Sequence, residues 1–289
     1  MIERSFSGRD PEIKLPAGAI DTHLHVYLSG FPALPGGPGL PEGQPGLSEY
    51  RQVMGWLGID RFVITQGNAH QTNNANLLAA LKETRDVARG VAAIDGETSD
   101  AELEILKDGG VVGTRIVDLP GGAVGLSQLE EVDARAFAAG WMIAIQFDGS
   151  DISDHVDRLS KLRSRWVLDH HGKFLRGVAP DGHEVAMLKR LVDGGRCWFK
   201  FAGCYESSFE GGPDYSDVAE VSKVMATHAP ERIVWGTNFP HNTATRTTDY
   251  PNDAALLDTV LNWFPDDRAR HLALIENAEK LYGFQSVAK

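Results

Sequence analysis

The sequence predicts one (β/α)8 barrel of the TIM type. Two observations favour this α/β fold: eight short runs rich in β-branched and aromatic residues, typical of strands, and helical patterns that follow nearly all of them. Eight such units in 289 residues are typical of this barrel. The doubly wound parallel sheet is the competing fold, and it is disfavoured because no GxGxxG or Walker pattern follows any of the runs.

The predicted strands are apolar runs separated by turn residues and helical segments. In chain order they are AIDTHLHV (19–26), RFVITQ (61–66), GVAAI (90–94), VVGTRIV (111–117), WMIAIQF (141–147), WVLDHH (166–171), CWFKFA (197–202) and RIVWGTN (232–238). Between them, apolar residues recur at helical spacing. The clearest predicted helices cover residues 71–88, 99–110, 127–140, 153–164 and 183–195. The second and the fifth of these segments end in Gly-Gly, a common helix stop.

A Pro/Gly-rich segment, GFPALPGGPGLPEGQPG (30–46), follows the first predicted strand. Proline removes backbone donors and glycine favours turns, so this segment cannot be a regular helix or a central strand. In a barrel the loops after the strands surround the active-site mouth, so we expect residues 30–46 to lie over it, as a lid or as an extended surface loop. Nothing in the composition suggests a second domain, and residues 1–289 are expected to form one barrel.

The composition restricts the partners. A formal net charge of -12 argues against nucleic acid and anionic membranes, which bind clustered Lys and Arg. No apolar run reaches the roughly 20 residues of a membrane span. The N-terminal residues lack the basic-then-apolar layout of a secretory signal, so the cytoplasm is the expected location. Cys197 and Cys204 form no CxxC pair and are expected to be buried thiols. The expected partner is a small molecule, and the oligomeric state stays open.

Polar residues cluster at the predicted ends of the strands. His23 and His25 alternate along the first strand and so point the same way, into the barrel, with Asp21 one step deeper. One histidine in an apolar strand is usually a hydrogen-bonded core residue, but the polar set here is larger. It also contains Gln66, His70, Arg115, Gln146, the segment DHHG (169–172) with His170, Tyr205, Asn238 and His241. Buried polar groups are destabilising unless paired, so this convergence favours an active site at the C-terminal ends of the strands.

The ordered set of motifs resembles the amidohydrolase superfamily. DTHLH on the first predicted strand, LDHHG on the sixth and WGTNFPH on the eighth carry this resemblance. VITQGNAHQTNNA (63–75), GVVGTRIV (110–117), AIQFDG and CWFKFAGCY extend it, and they are similar to the branch that contains 2-pyrone-4,6-dicarboxylate lactonase. Within this branch, Asn238 and its neighbours resemble the galactarolactone isomerases, whereas the lactonase has Asp at this position. The resemblance covers nearly the whole chain and implies a barrel that acts on a lactone.

The residues disfavour a metal centre. Metal-dependent members of the superfamily use the strand-one HxH pair, further histidines and an Asp at the end of strand eight, where this chain has Asn238. An amide ligates a metal weakly and is not a useful base near neutral pH. Strand four ends in Arg115, a permanent cation that opposes a dinuclear site. We therefore expect no metal and no other cofactor, with a mononuclear zinc on His23, His25 and His170 as the alternative.

The candidate substrate is a carboxylated sugar-acid lactone. The planar guanidinium of Arg115 suits a carboxylate, and an internal salt bridge is its alternative role. Tyr205, Ser207 and Ser208 follow strand seven, where the lactonase has an arginine, and hydroxyl donors suit a polyhydroxylated acid better than a flat aromatic diacid. Together with the resemblance, these departures favour an aldarolactone. The predicted substrate-binding residues are His23, His25, His70, Arg115, Gln146 and Tyr205.

The absence of an aspartate base at strand eight favours an intramolecular reaction over hydrolysis. Isomerisation of D-galactaro-1,5-lactone to the 1,4-lactone uses a hydroxyl already tethered near the carbonyl, and tethering contributes an effective molarity of up to about 10⁵ M or more. We expect the C4 hydroxyl to attack the C1 carbonyl while His23, His25 and His170 stabilise the oxyanion. Histidines also suit proton transfer near neutral pH, so His170 or His241 is the expected proton shuttle, and Asn238 is expected to orient the nucleophile.

Three other functions stay open. A metal-independent hydrolase of a carboxylated lactone is the nearest, and a zinc-dependent amidohydrolase or decarboxylase is the second. The third is a barrel that binds a sugar acid without turnover. Carbohydrate binding uses amides, carboxylates and aromatic rings more than imidazoles, so the histidines of this chain favour an enzyme.

Overall fold

Eight parallel strands, joined through helices and turns, make up the sheet of this chain. The computed structural model describes residues 2–286. The strands are β1 (Ile20–Leu24), β2 (Arg61–Thr65), β3 (Ala88–Ala92), β4 (Val111–Val117), β5 (Met142–Gln146), β6 (Trp166–Leu168), β7 (Cys197–Phe201) and β8 (Ile233–Trp235). They are hydrogen-bonded in sequence order, and a parallel bridge between Leu24 and Phe239 brings the first and last strands together. The predicted (β/α)8 barrel is confirmed.

Helices connect and flank the strands. They are α1 (Leu47–Leu57), α2 (Ala75–Thr84), α3 (Asp100–Asp108), α4 (Leu129–Ala139), α5 (Ile152–Leu159), α6 (His183–Asp193), α7 (Ser216–His228), α8 (Asp253–Leu261), α9 (Asp267–His271) and α10 (Asn277–Tyr282). All five predicted helices are present, and each is shorter than predicted. Short 3-10 turns follow β2, β5, β6 and β7 at Asn68–His70, Gly149–Asp151, His170–Gly172 and Cys204–Glu206. Within residues 2–286, no helix is long and apolar enough to cross a membrane.

Alternate side chains along the strands supply two apolar layers. Val63, Val91 and Trp198 fill the barrel interior, where Leu281 and Tyr282 of α10 pack against them. The opposite faces of the strands pack against the helices in a larger layer of buried residues. Full burial stabilises each large apolar side chain by roughly 1.5–3 kcal/mol. This packing holds the strands in register and leaves their C-terminal ends to carry polar residues.

A bulge in β1 decides which of its side chains reach the barrel interior. The register against β2 shifts between Asp21 and Leu24, so β1 has one extra residue there. The expectation that Asp21 points inward with the histidines is therefore wrong. Its carboxylate instead accepts hydrogen bonds from Tyr50 Oη of α1 at 3.0 Å and from Thr237 Oγ1 at 2.6 Å. Asp21 thus connects β1 to the segment after β8 and to helix α1.

The Pro/Gly loop, residues 30–46, reaches the cavity at the C-terminal ends of the strands. The Leu34 backbone nitrogen donates to the Ala69 carbonyl at 2.7 Å. A Cβ at Gly37 would lie 2.3 Å from the Asn68 carbonyl oxygen, so this close approach requires glycine. Three loop residues line the cavity: Pro38, Gly39 and Pro41.

Candidate active site

A cavity of about 280 Å³ opens at the C-terminal ends of the strands. The structure brings five of the nine predicted site residues to its wall. These are His25, Arg115, Gln146, His170 and Asn238. The wall also contains polar residues that the sequence did not single out, namely Tyr27, Asn68, Lys173, Glu206, Asn242 and Thr243. His23, His70, Tyr205 and His241 lie behind this wall, and their contacts are described below.

A second cavity, of about 370 Å³, lies at the opposite end of the barrel near the starts of β3 and β4. It is larger, but none of the predicted site residues lines it. Active sites in this fold are built from the loops at the C-terminal ends of the strands. The smaller cavity is therefore the candidate active site.

Arg115, on β4, presents an unpaired positive charge to the cavity. Its Nη1 donates to the Gln66 carbonyl at 2.7 Å and its Nη2 to Gln146 Oε1 at 3.3 Å. Both partners are neutral, and Nε has no hydrogen-bond partner among the described residues. Since no carboxylate of residues 2–286 forms a salt bridge with Arg115, the alternative of an internal salt bridge is wrong. A guanidinium that is 5% exposed and lacks a counterion is suited to a substrate anion.

His23 lies beneath the cavity, where Lys200 of β7 determines its tautomer. Its Nδ1 is 3.3 Å from Lys200 Nζ, and its Nε2 is 3.3 Å from His25 Nε2. An ammonium only donates, so Nδ1 of His23 accepts and Nε2 carries the proton. His25 Nδ1 in turn donates to the Thr65 carbonyl at 2.9 Å, which leaves its Nε2 as an acceptor. These tautomers leave neither ring an N–H for a lactone carbonyl, and this disagrees with their predicted role as oxyanion donors.

The site histidines are neutral near pH 7. Burial lowers the pKa of His25 to about 3, and the charge of Arg115 acts in the same direction. Burial lowers the pKa of His170 to about 4, against the opposing charge of Glu206. The pKa of His23 lies well below its usual value because of burial and of nearby Lys200. The expectation that these histidines titrate near neutral pH is therefore wrong, because the barrel removes them from water.

The turn after β6 places His170 on the cavity wall and His171 in the core. Both residues adopt positive φ angles, 51° and 53°, so the strand ends before the predicted residue 171. Such conformations are rare outside glycine and cluster at functional sites. The ring of His171 stacks on Phe201, and its Nδ1 is 2.8 Å from Ser222 Oγ. His170 lines the cavity, whereas its Nδ1 is buried, makes no hydrogen bond to the described residues and lies 3.9 Å from Glu206 Oε2.

Among the cavity-lining residues, which all lie within the described range 2–286, Glu206 is the one with a carboxylate. Its Oε2 lies 2.6 Å from Lys173 Nζ, and its Oε1 accepts from Asn238 Nδ2 at 2.9 Å. Burial alone would raise the pKa of Glu206, but His170, Lys173 and Asn238 lower it to about 2. The cavity therefore holds an ionised, fully engaged carboxylate, and the ammonium of Lys173 retains donors beyond the one that Glu206 accepts.

A hydrogen-bonded chain fixes the amide of Asn238. Asp253 Oδ1 lies 3.0 Å from His241 Nε2, so that nitrogen carries the proton and Nδ1 accepts from Tyr205 Oη at 2.7 Å. Tyr205 Oη in turn accepts from Asn238 Nδ2 at 2.8 Å. Both ring nitrogens of His241 are thus occupied. Tyr205 and His241 orient Asn238 from behind the wall, and the Asn238 amide oxygen accepts no hydrogen bond from residues 2–286.

Three other polar groups hold loops. His70 Nδ1 is 3.1 Å from the Pro32 carbonyl, so this ring anchors the Pro/Gly loop. Ser207 Oγ donates to the His170 carbonyl at 3.0 Å, and Ser208 donates to a carboxylate of α7. None of the three lines the cavity. The expectation that Ser207 and Ser208 bind a sugar substrate is therefore wrong. His70 lies behind the cavity wall.

The side chains beneath the cavity do not fit a resident metal ion. Donor atoms of His23, Asp169 and His170 lie within 4.8 Å of one another, so Asp169 takes the place that the zinc alternative gave to His25. Lys200 Nζ lies among them, 2.7 Å from Asp169 Oδ1. A buried ammonium beside the ligand atoms repels a divalent cation.

Only some of the site residues that were not predicted carry a recognisable signal in the sequence. Lys200 stands in the apolar strand CWFKF, two positions after Trp198 and hence on the same inward face. A lysine at such a position indicates a buried ion pair, so it could have been found. Lys173 and Glu206 lie in irregular segments without periodicity, and no pattern indicates that their side chains meet.

Comparison with known proteins gives the family. The amidohydrolase family model matches residues 20–284. The chain is 56% identical over 285 residues to D-galactarolactone isomerase of Agrobacterium fabrum, a match that covers 98% of this chain and 97% of that protein. It is 31% identical to 2-pyrone-4,6-dicarboxylate hydrolase of Comamonas testosteroni, covering 94% and 92% of the two chains. The apo crystal structure of an Agrobacterium tumefaciens protein, also 56% identical, matches with a TM-score of 0.96 over 98% of this chain and 100% of that one. The chain therefore belongs to the amidohydrolase family.

Proposed function

We propose that this protein is a lactone isomerase that converts D-galactaro-1,5-lactone into D-galactaro-1,4-lactone. A relative with 56% identity bears the name D-galactarolactone isomerase. The observation that carries the proposal is the state of the one carboxylate on the cavity wall. Glu206 is held by Lys173 and Asn238, and a carboxylate so engaged is a poor base for water. A nucleophile already tethered to the substrate is therefore favoured over water.

The cavity suits a polyhydroxylated monoanion. Arg115 lines the cavity, and Nη1 and Nη2 each make one hydrogen bond within the chain, which leaves a second N–H on each for the C6 carboxylate of the lactone. The other donors and acceptors on the wall are mainly neutral amides and hydroxyls, which match sugar hydroxyls. Tyr27 Oη, for example, accepts from Asn242 Nδ2 at 2.7 Å, so its own proton remains available to the substrate. Burial raises the pKa of Tyr27 to about 12, which keeps this phenol protonated.

The reaction is an intramolecular acyl transfer. The C4 oxygen attacks the C1 carbonyl, the O4–C1 bond forms, the C1–O5 bond breaks, and the proton that leaves O4 ends on O5. His170 carries this proton, because it is neutral near pH 7 and lines the cavity. It is favoured over His241, whose ring nitrogens are both occupied. The Asn238 oxygen orients the C4 hydroxyl, and Lys173 supplies the cationic donor for the oxyanion.

The proposal also covers the metal independence, the cellular location, the metabolic role and the partner of the enzyme. Neither water nor a metal ion takes part in the steps above. Cys197 and Cys204 are free and buried, as expected in a reducing compartment, and this supports the cytoplasm. A sugar-acid lactone as substrate supports a role in the catabolism of galacturonate-derived acids. The negative net charge supports a small-molecule partner over nucleic acid or membrane.

Incubation with D-galactaro-1,5-lactone in H₂¹⁸O tests this function. NMR is expected to show the 1,4-lactone forming faster than in the enzyme-free control, and mass spectrometry is expected to find no ¹⁸O in it. A hydrolase would instead produce open galactarate with one ¹⁸O. Accumulation of labelled galactarate with no transient 1,4-lactone above background would refute the isomerase and leave the lactone hydrolase.

A further inference from the structure

Lys200 is a fully buried lysine at the centre of the barrel. Its relative exposure is 0%, and its ammonium lies 2.7 Å from Asp169 Oδ1 and 3.3 Å from His23 Nδ1. A buried charge of this kind persists only when it is paired. Although burial lowers the pKa of Lys200, the carboxylate of Asp169 raises it overall. The centre of this barrel therefore contains a positive charge supplied by the chain itself.

The groups around this ammonium are also metal ligands. His23 Nδ1 lies 3.7 Å from Asp169 Oδ2, and donor atoms of these two residues and His170 lie within 4.8 Å of one another. Two ligands of a tetrahedral zinc, each about 2.1 Å from the ion, lie about 3.4 Å apart. Two histidines and one carboxylate are a common zinc ligand set. The ligands are present, but a cation of the protein lies among them.

We propose that Lys200 occupies the position of a metal ion and closes a latent metal site formed by His23, Asp169 and His170. Its ammonium neutralises Asp169, as a divalent cation would. It also imposes the tautomer of His23, and through the Nε2 contact that of His25. Lys200 is thus a positioning residue, since it does not line the cavity. This inference concerns ion binding and does not depend on which lactone the enzyme converts.

Removing the ammonium is expected to open the site. Lys200→Met keeps a side chain of similar length and deletes the charge, which leaves Asp169 buried without a counterion. A divalent cation restores the charge balance and gains three ligands. The matched control is the double variant Lys200→Met/Asp169→Asn, which also lacks the ammonium but has lost the carboxylate ligand.

The experiment measures zinc in the purified full-length chains. Wild type, the single variant and the double variant are produced in zinc-supplemented medium, gel-filtered, and analysed by inductively coupled plasma mass spectrometry. The single variant is expected to retain about one zinc per chain, at least about tenfold more than wild type or the double variant. Its melting temperature is expected to fall on EDTA treatment and to recover with Zn²⁺. Tetrahedral Co²⁺ bound by the single variant is expected to absorb visible light.

Several results would overturn the proposal. One is a wild type that already retains about one zinc per chain, and another is a folded Lys200→Met chain that retains none. If the single variant folds only in zinc-supplemented medium, metal dependence of folding supports the proposal. If the single variant is insoluble with and without zinc, Lys200→Gln replaces it in the same assay, because glutamine keeps a hydrogen-bond donor for Asp169. Failure of Lys200→Gln to bind zinc counts against the proposal. Metal content is read independently of turnover, so failure of the lactone assay leaves this test intact.

Discussion

Replacing Asn238 with Asp would place a second carboxyl group against Glu206. The Asn238 amide nitrogen lies 2.9 Å from Glu206 Oε1, so the substitution exchanges a donor for an acceptor at that distance. Two negative charges 2.9 Å apart repel each other by about 6 kcal/mol at an effective dielectric constant of about 20. One pKa unit corresponds to about 1.4 kcal/mol, so we expect the pKa of the new carboxyl group to rise by about 4 units, to near 8.

At pH 7 the new carboxyl group is then protonated and cannot activate water. Asn238→Asp is expected to remain without hydrolase activity at pH 7 and to lose about 100-fold in isomerase rate, because the amide that Tyr205 and Glu206 orient is gone. Adding Glu206→Gln removes the repulsion, so the double variant is expected to gain hydrolysis at pH 7. The single variant is expected to hydrolyse only above about pH 8.

The assay measures ¹⁸O incorporation into galactarate from pH 5 to pH 10, at intervals of about one pH unit. The matched control is Asn242→Asp, at an exposed residue of the same wall whose amide donates to the neutral Tyr27 hydroxyl. Its carboxyl group is expected to ionise normally. Rapid labelled hydrolysis by the Asn238→Asp single variant at pH 7 would refute the electrostatic reasoning. It would mean that the new carboxyl group is ionised at that pH although Glu206 is ionised beside it.

Three further outcomes are expected. In steady-state kinetics, Arg115→Gln should lower kcat/KM about 10- to 100-fold for each hydrogen bond to the substrate carboxylate that is lost. An equal fall in kcat/KM for the neutral methyl ester of the substrate would contradict an anion-binding role. The pKa of Glu206 is about 2 in the folded chain against an ordinary 4.5, so its ionised form contributes about 3 kcal/mol above pH 4.5 that is lost as the pH falls towards 2. In denaturant unfolding, the stability advantage of wild type over Glu206→Gln should shrink across that range, and a pH-independent difference would contradict it. Gly203→Ala would bring a Cβ to 2.6 Å from Asn238 Nδ2 and should abolish most activity, whereas Gly58→Ala, with similar φ and open space around it, should only lower the melting temperature.

Local patterns in the sequence were sufficient for the fold. The fourth strand was predicted at residues 111–117 and lies at Val111–Val117, because alternation and β-branched residues act over a few neighbouring positions. The position of Arg115 at the end of this strand, and hence on the cavity wall, followed from the same pattern. Asn238 was likewise recognised from its place after the eighth strand. The sequence could identify these residues because the barrel brings all strand ends to one face.

Contacts between distant segments decided the chemistry. His23 and Lys200 are 177 positions apart, and their contact determines which nitrogen of His23 carries the proton. The positive φ of His170 directs its ring to the cavity while His171 enters the core, which no propensity of a His-His pair specifies. Burial, in turn, moved the pKa values of His25 and His170 far below neutrality. The sequence by itself determined the barrel and the set of polar residues at its mouth. Only the tertiary structure decided which of them are neutral, paired or free, because desolvation and ion pairing depend on neighbours that meet when the barrel closes.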